Sequence, residues 1–240
     1  MVLFSAEGFT FAVMAVNQQA YQQLRKELDP QNVTLVAVSK IKPVSDIKTL
    51  YNLGQRDFGE NYVQELVEKQ AQLPQDIRWH FIGHLQSNKV KYIASFVHLI
   101  HGVDSYSLLK EINKQAAKNS RTIDCLLQVH IAQEETKFGL NEQELKEILE
   151  NAAELKHIKI RGLMGMASFS DDEAKVRNEF QTLKRLLDKQ KAYIIANPAS
   201  DIQHPTSDIL SMGMSGDYKM AIEEGSNMVR IGSMLFGARV

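Results

Sequence analysis

Eight short runs rich in β-formers, separated by stretches with helical spacing, constrain this chain more than any other feature of its sequence. Alternation of this kind builds a parallel sheet, because each crossover between parallel strands needs a helix-sized connection. The runs are Thr34–Ser39, Asp57–Gly59, Trp79–Ile82, Val97–His101, Cys125–Ile131, Lys159–Met164, Ile209–Met212 and Met228–Ile231. Most are continuously apolar rather than alternating, as strands covered on both faces should be. Between them, Val44, Ile47, Leu50 and Tyr51 share a helical face, as do Leu145, Ile148, Leu149 and Ala152, and Phe180, Leu183 and Leu187. Pro43 suits the first turn of its helix, where its missing N–H would have no partner. Eight such units in 240 residues predict an α/β fold, a single (β/α)8 TIM barrel in one domain spanning residues 1–240. An open, doubly wound sheet is the alternative that strand counting leaves standing. Val13, Val16, Ala20 and Leu24 predict an extra N-terminal helix capping the barrel, and Ala192–Ser207, with Pro198 and Pro205, a long loop before the seventh strand.

Charge narrows the partners. With 28 basic and 29 acidic residues the net charge is −1, which argues against nucleic acid or an anionic membrane surface. Met1–Val16 is apolar but carries Glu7 and no basic start, so it does not read as a signal peptide, and no run is long enough to span a bilayer. The single cysteine, Cys125, lies in an apolar run and reads as a buried, inert thiol. A cytoplasmic protein is expected.

In a barrel of this kind chemistry belongs where strands end and the following loops begin. Lys40 closes the run Leu35-Val36-Ala37-Val38-Ser39 and should point into the barrel mouth. Partial desolvation there would lower its pKa and make its amine a Schiff-base nucleophile. Lys42, by contrast, reads as a solvated strand-end lysine, and position alone does not separate the two. Support comes from the last two strand ends, where barrels commonly bind phosphate. Met212-Gly213-Met214-Ser215-Gly216-Asp217 and Arg230-Ile231-Gly232-Ser233 both offer small residues, a hydroxyl and a helix start. Each could equally be a tight turn with a helix cap. Arg230 could meet an aromatic ring attached to such a phosphate, arginine being a recognised partner for a pyridine nitrogen, or serve a structural ion pair. The seven histidines suggest no metal site: His80 and His84 straddle a strand end, and His98 and His101 should face opposite ways.

Several blocks fall in one order: Ala37-Val38-Ser39-Lys40 with Lys42-Pro43, Phe58-Gly59-Glu60-Asn61-Tyr62-Val63-Gln64-Glu65, Trp79-His80-Phe81-Ile82-Gly83, Leu85-Gln86-Ser87-Asn88-Lys89, Leu210-Ser211-Met212-Gly213-Met214-Ser215 and Met228-Val229-Arg230-Ile231-Gly232-Ser233. From about residue 30 onward these resemble the pyridoxal phosphate homeostasis protein family, itself similar to the barrel half of fold-type III pyridoxal enzymes such as alanine racemase. The resemblance implies pyridoxal 5′-phosphate (PLP) as cofactor, held as a Schiff base on Lys40. It implies phosphate contacts from Ser215, Gly232 and Ser233, Arg230 facing the ring nitrogen, and Asn61 lining the ring. The chain departs from the family at His84, where relatives often have proline, at Gly165-Met166-Ala167 and in Ala192–Ser207. None of these is expected to touch the anchors.

Binding PLP does not by itself make an enzyme. Arginine does not readily give up a proton, so a ring facing Arg230 would be a poor electron sink. A racemase also needs an acid/base group on each face of the substrate α-carbon, and in the racemases this chain resembles a partner subunit and a β domain complete the site. The sequence stops soon after the eighth strand, so an open site without that second domain is expected. The leading expectation is therefore a monomeric carrier that holds PLP and passes it to apoenzymes. A weak amino-acid racemase and a cofactor-free Schiff-base aldolase are the alternatives.

Overall fold

A computed structural model describes residues 16–132, 138–196 and 209–237. Eight parallel strands close into one barrel in sequence order: β1 (Thr34–Val38), β2 (Asp57–Glu60), β3 (Arg78–Phe81), β4 (Leu99–Val103), β5 (Ile123–Gln128), β6 (Ile158–Met164), β7 (Ile209–Ser211) and β8 (Met228–Ile231). Closure runs through β1 and β8, which pair from Thr34 with Met228 to Ala37 with Ile231. The open-sheet alternative is thereby removed.

Helices fill the intervals. They are α1 (Gln18–Leu28), α2 (Val44–Asn52), α3 (Val63–Gln70), α4 (Val90–Ile93), α5 (Tyr106–Lys118), α6 (Glu142–Asn151), α7 (Glu173–Ala196), α8 (Tyr218–Glu223) and α9 (Ser233–Phe236). The extra N-terminal helix is present as α1: the Asn17 side chain caps it by accepting from the Ala20 N–H, and Tyr21, Leu24 and Leu28 form its buried stripe. It lies beside α9, where the Asn17 N–H donates to the Leu235 carbonyl. Val13 lies outside the described residues.

The apolar faces read from the sequence are those that pack. Ile47, Leu50, Leu145, Ile148, Leu149, Ala152, Phe180, Leu183 and Leu187 are all buried in one cluster with the outward faces of the strands. A second, smaller cluster of Val36, Leu99, Leu126, Met164 and Met228 fills part of the lumen. Two layers on either side of one sheet explain why the strands read as continuous apolar runs.

Three expectations need correction. The fourth strand begins at Leu99, so His98 stands before it. The fifth ends at Gln128, with Val129 making only an isolated bridge to Leu140. The segment from residue 192 is helical through Ala196, continuing α7, so the predicted loop does not begin at Ala192, and its remaining residues lie outside the described ones. Pro198 restricts only the residue before it, so residues 192–196 are free to be helical.

The β6–β7 seam depends on Gly162. Its φ is +149°, and a Cβ there would lie 1.9 Å from the Ile209 carbonyl oxygen. The short β7–β8 seam is reinforced from the side: the Ser226 hydroxyl donates to the Met212 carbonyl at 2.7 Å, and the Arg230 N–H donates to the Gly213 carbonyl.

Candidate functional site

Alternation along β1 points Thr34, Val36 and Val38 into the lumen and carries Lys40, two residues beyond the strand, to its mouth. The backbone around Lys40 is clamped from outside. The Ser39 N–H continues the sheet ladder to the Gly59 carbonyl, and the Ser39 hydroxyl donates to Glu60 Oε1 at 2.6 Å. The Lys69 ammonium, on α3, donates to the Ser39 carbonyl (2.7 Å), Glu60 Oε1 (2.7 Å) and Glu65 Oε1 (2.6 Å). Glu65 Oε1 also accepts from the N–H of Ile41, whose φ of +63° lies in the left-handed region. Ser39, Glu60 and Lys69 are all buried. Desolvation pushes the Glu60 carboxyl above its ordinary range against the opposing pull of Lys69.

Lys42 is not the solvated residue its position suggested. It is half-buried, it donates to the Phe236 carbonyl at 2.7 Å, and it lines the same cavity as Lys40. The turn at Ile41 swings it inward, so strand alternation does not apply to it.

Arg230 projects from β8 into the lumen and is buried. Its Nη1 donates to the Ser211 carbonyl (2.8 Å) and hydroxyl (2.6 Å), and its Nη2 to the Gly165 carbonyl (2.9 Å). All three acceptors are neutral. Burial pulls its pKa down to about 10, with Asp217 pulling the other way, so it remains a cation at neutral pH. Among the described residues three of its five N–H donors are used, leaving Nε and one Nη2 hydrogen for a ligand. The Gly165 contact corrects the expectation that the Gly165-Met166-Ala167 departure touches no anchor.

The six residues singled out from sequence converge. Lys40, Asn61, Ser215, Arg230, Gly232 and Ser233 line one cavity of about 440 Å³, walled on its apolar side by Val38, Ile82, Met166 and Met214. That volume lies in the range used for small ligands. Among the described residues Asn61 Oδ1 is buried without a hydrogen-bond partner, an orphan acceptor beside the cavity. Gly213, at φ +93°, lets the loop after β7 double back; the Met214 N–H donates to Asp217 Oδ1 and the Tyr218 N–H to the Met214 carbonyl. Ser215 and Gly216 sit on that loop, and Gly232 and Ser233 open α9. His84 lies elsewhere, stacked on Phe138 and 3.1 Å from Asp104.

At the opposite end of the barrel a second cavity, about 270 Å³, is lined by Asp57, Arg78, His80, His98, Asp124 and Arg161 among others. Contrary to the strand-parity expectation, His98 and His101 both approach His80, with ring centroids 5.4 and 5.2 Å away. His98 precedes the strand and escapes its alternation. Asp57, His80 and His98 bring possible metal-ligand atoms within 4.8 Å of one another. The Asp57 carboxylate, however, is taken by a two-point pair with Arg78 and by His80. Those contacts hold its carboxyl below the usual range despite burial. Cys125 is fully buried, and burial pushes its thiol far up, away from the reactive thiolate. Among the described residues no helix is long and apolar enough to cross a membrane.

Comparison with known proteins adds a consistent set of relatives. The family model of the alanine racemase N-terminal domain matches residues 17–240. A pyridoxal phosphate homeostasis protein from Aquifex aeolicus is 43% identical over 207 residues, which cover 85% of this chain and 86% of its own. PipY of Synechococcus elongatus, solved with PLP bound, superposes with a TM-score of 0.79 at 34% identity, covering 91% of this chain and 99% of that one. Alanine racemase from Bartonella henselae, solved with covalently bound pyridoxal phosphate, gives a TM-score of 0.69 at 17% identity. It aligns to 90% of this chain but 58% of its own, a likeness of barrel fold alone.

Proposed function

Because the chain belongs to the pyridoxal phosphate homeostasis proteins, within the alanine racemase N-terminal domain family, we propose that it binds PLP as a Schiff base on Lys40 and releases it to other proteins. The observation that carries this reading is the convergence of Lys40, Arg230, Asn61 and the two Gly/Ser loop segments on one cavity. The polar lining fits the cofactor: an amine, a buried guanidinium with two N–H groups unused among the described residues, an amide oxygen without a partner among them, and two hydroxyls. PLP supplies an aldehyde that condenses reversibly with a primary amine, and a phosphate that anchors it.

Each residue then has a task. Lys40 presents the amine from a backbone that the Lys69 clamp holds still. Ser215, Gly232 and Ser233 receive the phosphate, with Gly232 keeping the approach low. Arg230 donates to the ring nitrogen and keeps it unprotonated, because a guanidinium gives up no proton near neutral pH. Asn61 borders the ring, and Val38, Ile82 and Met166 exclude water from its faces. Holding without strong electron withdrawal suits a carrier better than carbanion chemistry. The same reading has the protein acting as a cytoplasmic monomer that hands PLP to apoenzymes.

Borohydride reduction followed by peptide mapping tests the anchor. A phosphopyridoxyl group on the Lys40 peptide, absent in Lys40→Ala, is the expected result. No adduct after incubation with excess PLP would overturn the reading and return the barrel to the aldolase alternative.

A further inference from the structure

The lumen of this barrel carries a polar thread. From Arg230 on β8, hydrogen bonds run to the Ser211 hydroxyl on β7 (2.6 Å), from there to His101 Nδ1 on β4 (3.1 Å), from His101 Nε2 to His80 Nδ1 on β3 (2.9 Å), and from His80 Nε2 to Asp57 Oδ1 on β2 (2.9 Å). Five strands contribute one residue each. Exposure is 5% at Arg230, 0% at Ser211 and His101, 1% at His80 and 7% at Asp57. The thread joins the cavity at the barrel mouth to the cavity at its floor.

Its two ends fix its direction. Asp57, ionised and paired with Arg78, can only accept, so His80 must carry its hydrogen on Nε2. In neutral imidazoles that leaves His80 Nδ1 as acceptor, which makes His101 Nε2 the donor and His101 Nδ1 an acceptor. The Ser211 hydroxyl must then donate to His101, which turns its oxygen lone pairs toward Arg230. Arg230 can only donate. Every link therefore points from Arg230 toward Asp57.

We propose that Ser211, His101, His80 and Asp57 form a directed hydrogen-bond relay that sets the orientation of the Arg230 guanidinium toward the ring nitrogen of the bound cofactor. The four are positioning residues, and the proposal rests on the reading above that Arg230 meets that nitrogen. Cooperative chains strengthen each member, so the Asp57 carboxylate at the floor biases a cation near the mouth without touching it.

Two measurements test it. Nitrogen-15 NMR of histidine-labelled apoprotein at neutral pH should show the Nε2–H tautomer for both His80 and His101; an Nδ1–H form at either overturns the relay whatever the cofactor does. Affinities are then compared for PLP and for its 1-deaza analogue, which carries a C–H in place of the ring nitrogen. Ser211→Ala, which spares the Ser211 carbonyl, and Asp57→Asn at the far end should each weaken PLP binding about tenfold. Neither should change binding of the deaza analogue, and Ser211→Thr should restore PLP affinity. Equal loss for both ligands would mean a merely structural role and would overturn the proposal. A wild-type protein that binds both ligands equally would instead refute the placement of Arg230 at the ring nitrogen, with the tautomers still judging the relay.

Discussion

Lys69 holds three oxygen acceptors around the backbone of Lys40, so its loss should be felt at a residue it does not touch. Lys69→Met leaves Glu60 buried without its countercharge, and breaking a buried pair from one side costs about 3 kcal/mol or more. Urea unfolding should show that loss at pH 7.5, and Glu60→Gln in the same chain should recover most of it. Glu60 already sits above the usual carboxylate range because of desolvation, and removing Lys69 pushes it further. Protonation then relieves the orphaned charge, so the cost of Lys69→Met should shrink at pH 5.5. At this scale the sequence was partly legible. Lys40 and Arg230 stood at strand ends in recognisable blocks, and both line the cavity. The Gly165 carbonyl, Ser211 and the histidine pair were missed, because their meaning lies in contacts between strands far apart in the chain, 110 residues in the case of His101 and Ser211. Parity misled on His98, since alternation holds only inside a strand.

Among the elements, the β6–β7 seam is the most exposed to a single substitution. Gly162→Ala would place a methyl 1.9 Å from the Ile209 carbonyl oxygen, at a φ that L-residues rarely adopt. Relief requires the seam to part, so a loss of about 3 kcal/mol is expected. The check is chemical denaturation, with hydrogen exchange at Leu210 and Ser211 locating the damage. Gly216→Ala makes the contrast: a Cβ there meets nothing within 4 Å, and its stability should be close to wild type. Strand identity was legible because a sheet covered on both faces writes itself as unbroken apolar sequence. Strand ends were not, because side chains at the rim, such as Gln128 donating to the Phe138 carbonyl and His98 against the His80 ring, are set by partners outside the strand pattern. The helix α7 runs through Ala196 for a related reason: the segment was judged by its prolines, which act only from the residue before Pro198 onward.

For the whole molecule, acid should be the weak side. A free histidine titrates near 6.5, whereas His101 is held well below that by burial, and His98 is pushed down to about 4 by desolvation with His80 beside it. In both cases the unfolded chain takes up protons first, so stability falls as pH drops below 6.5 and goes on falling until the folded groups titrate. Asp57 adds a second loss below 3.8, because its folded carboxyl resists protonation. The melting temperature should therefore decline from pH 7 to pH 5 in wild type. The decline should be shallower in His98→Gln, whose side chain does not titrate. The closed topology was legible as the favoured of two arrangements, since strand counting also left an open sheet standing and only the β1–β8 pairing removes it.

The histidines threaded through the lumen have one more consequence. An imidazole proton open to water is replaced almost at once, but that of His101, at 0% exposure and away from both cavities, meets water only when the barrel wall parts. Transferred to heavy water, that ring becomes a clock for the breathing, ticking at the centre of the molecule rather than at its edge.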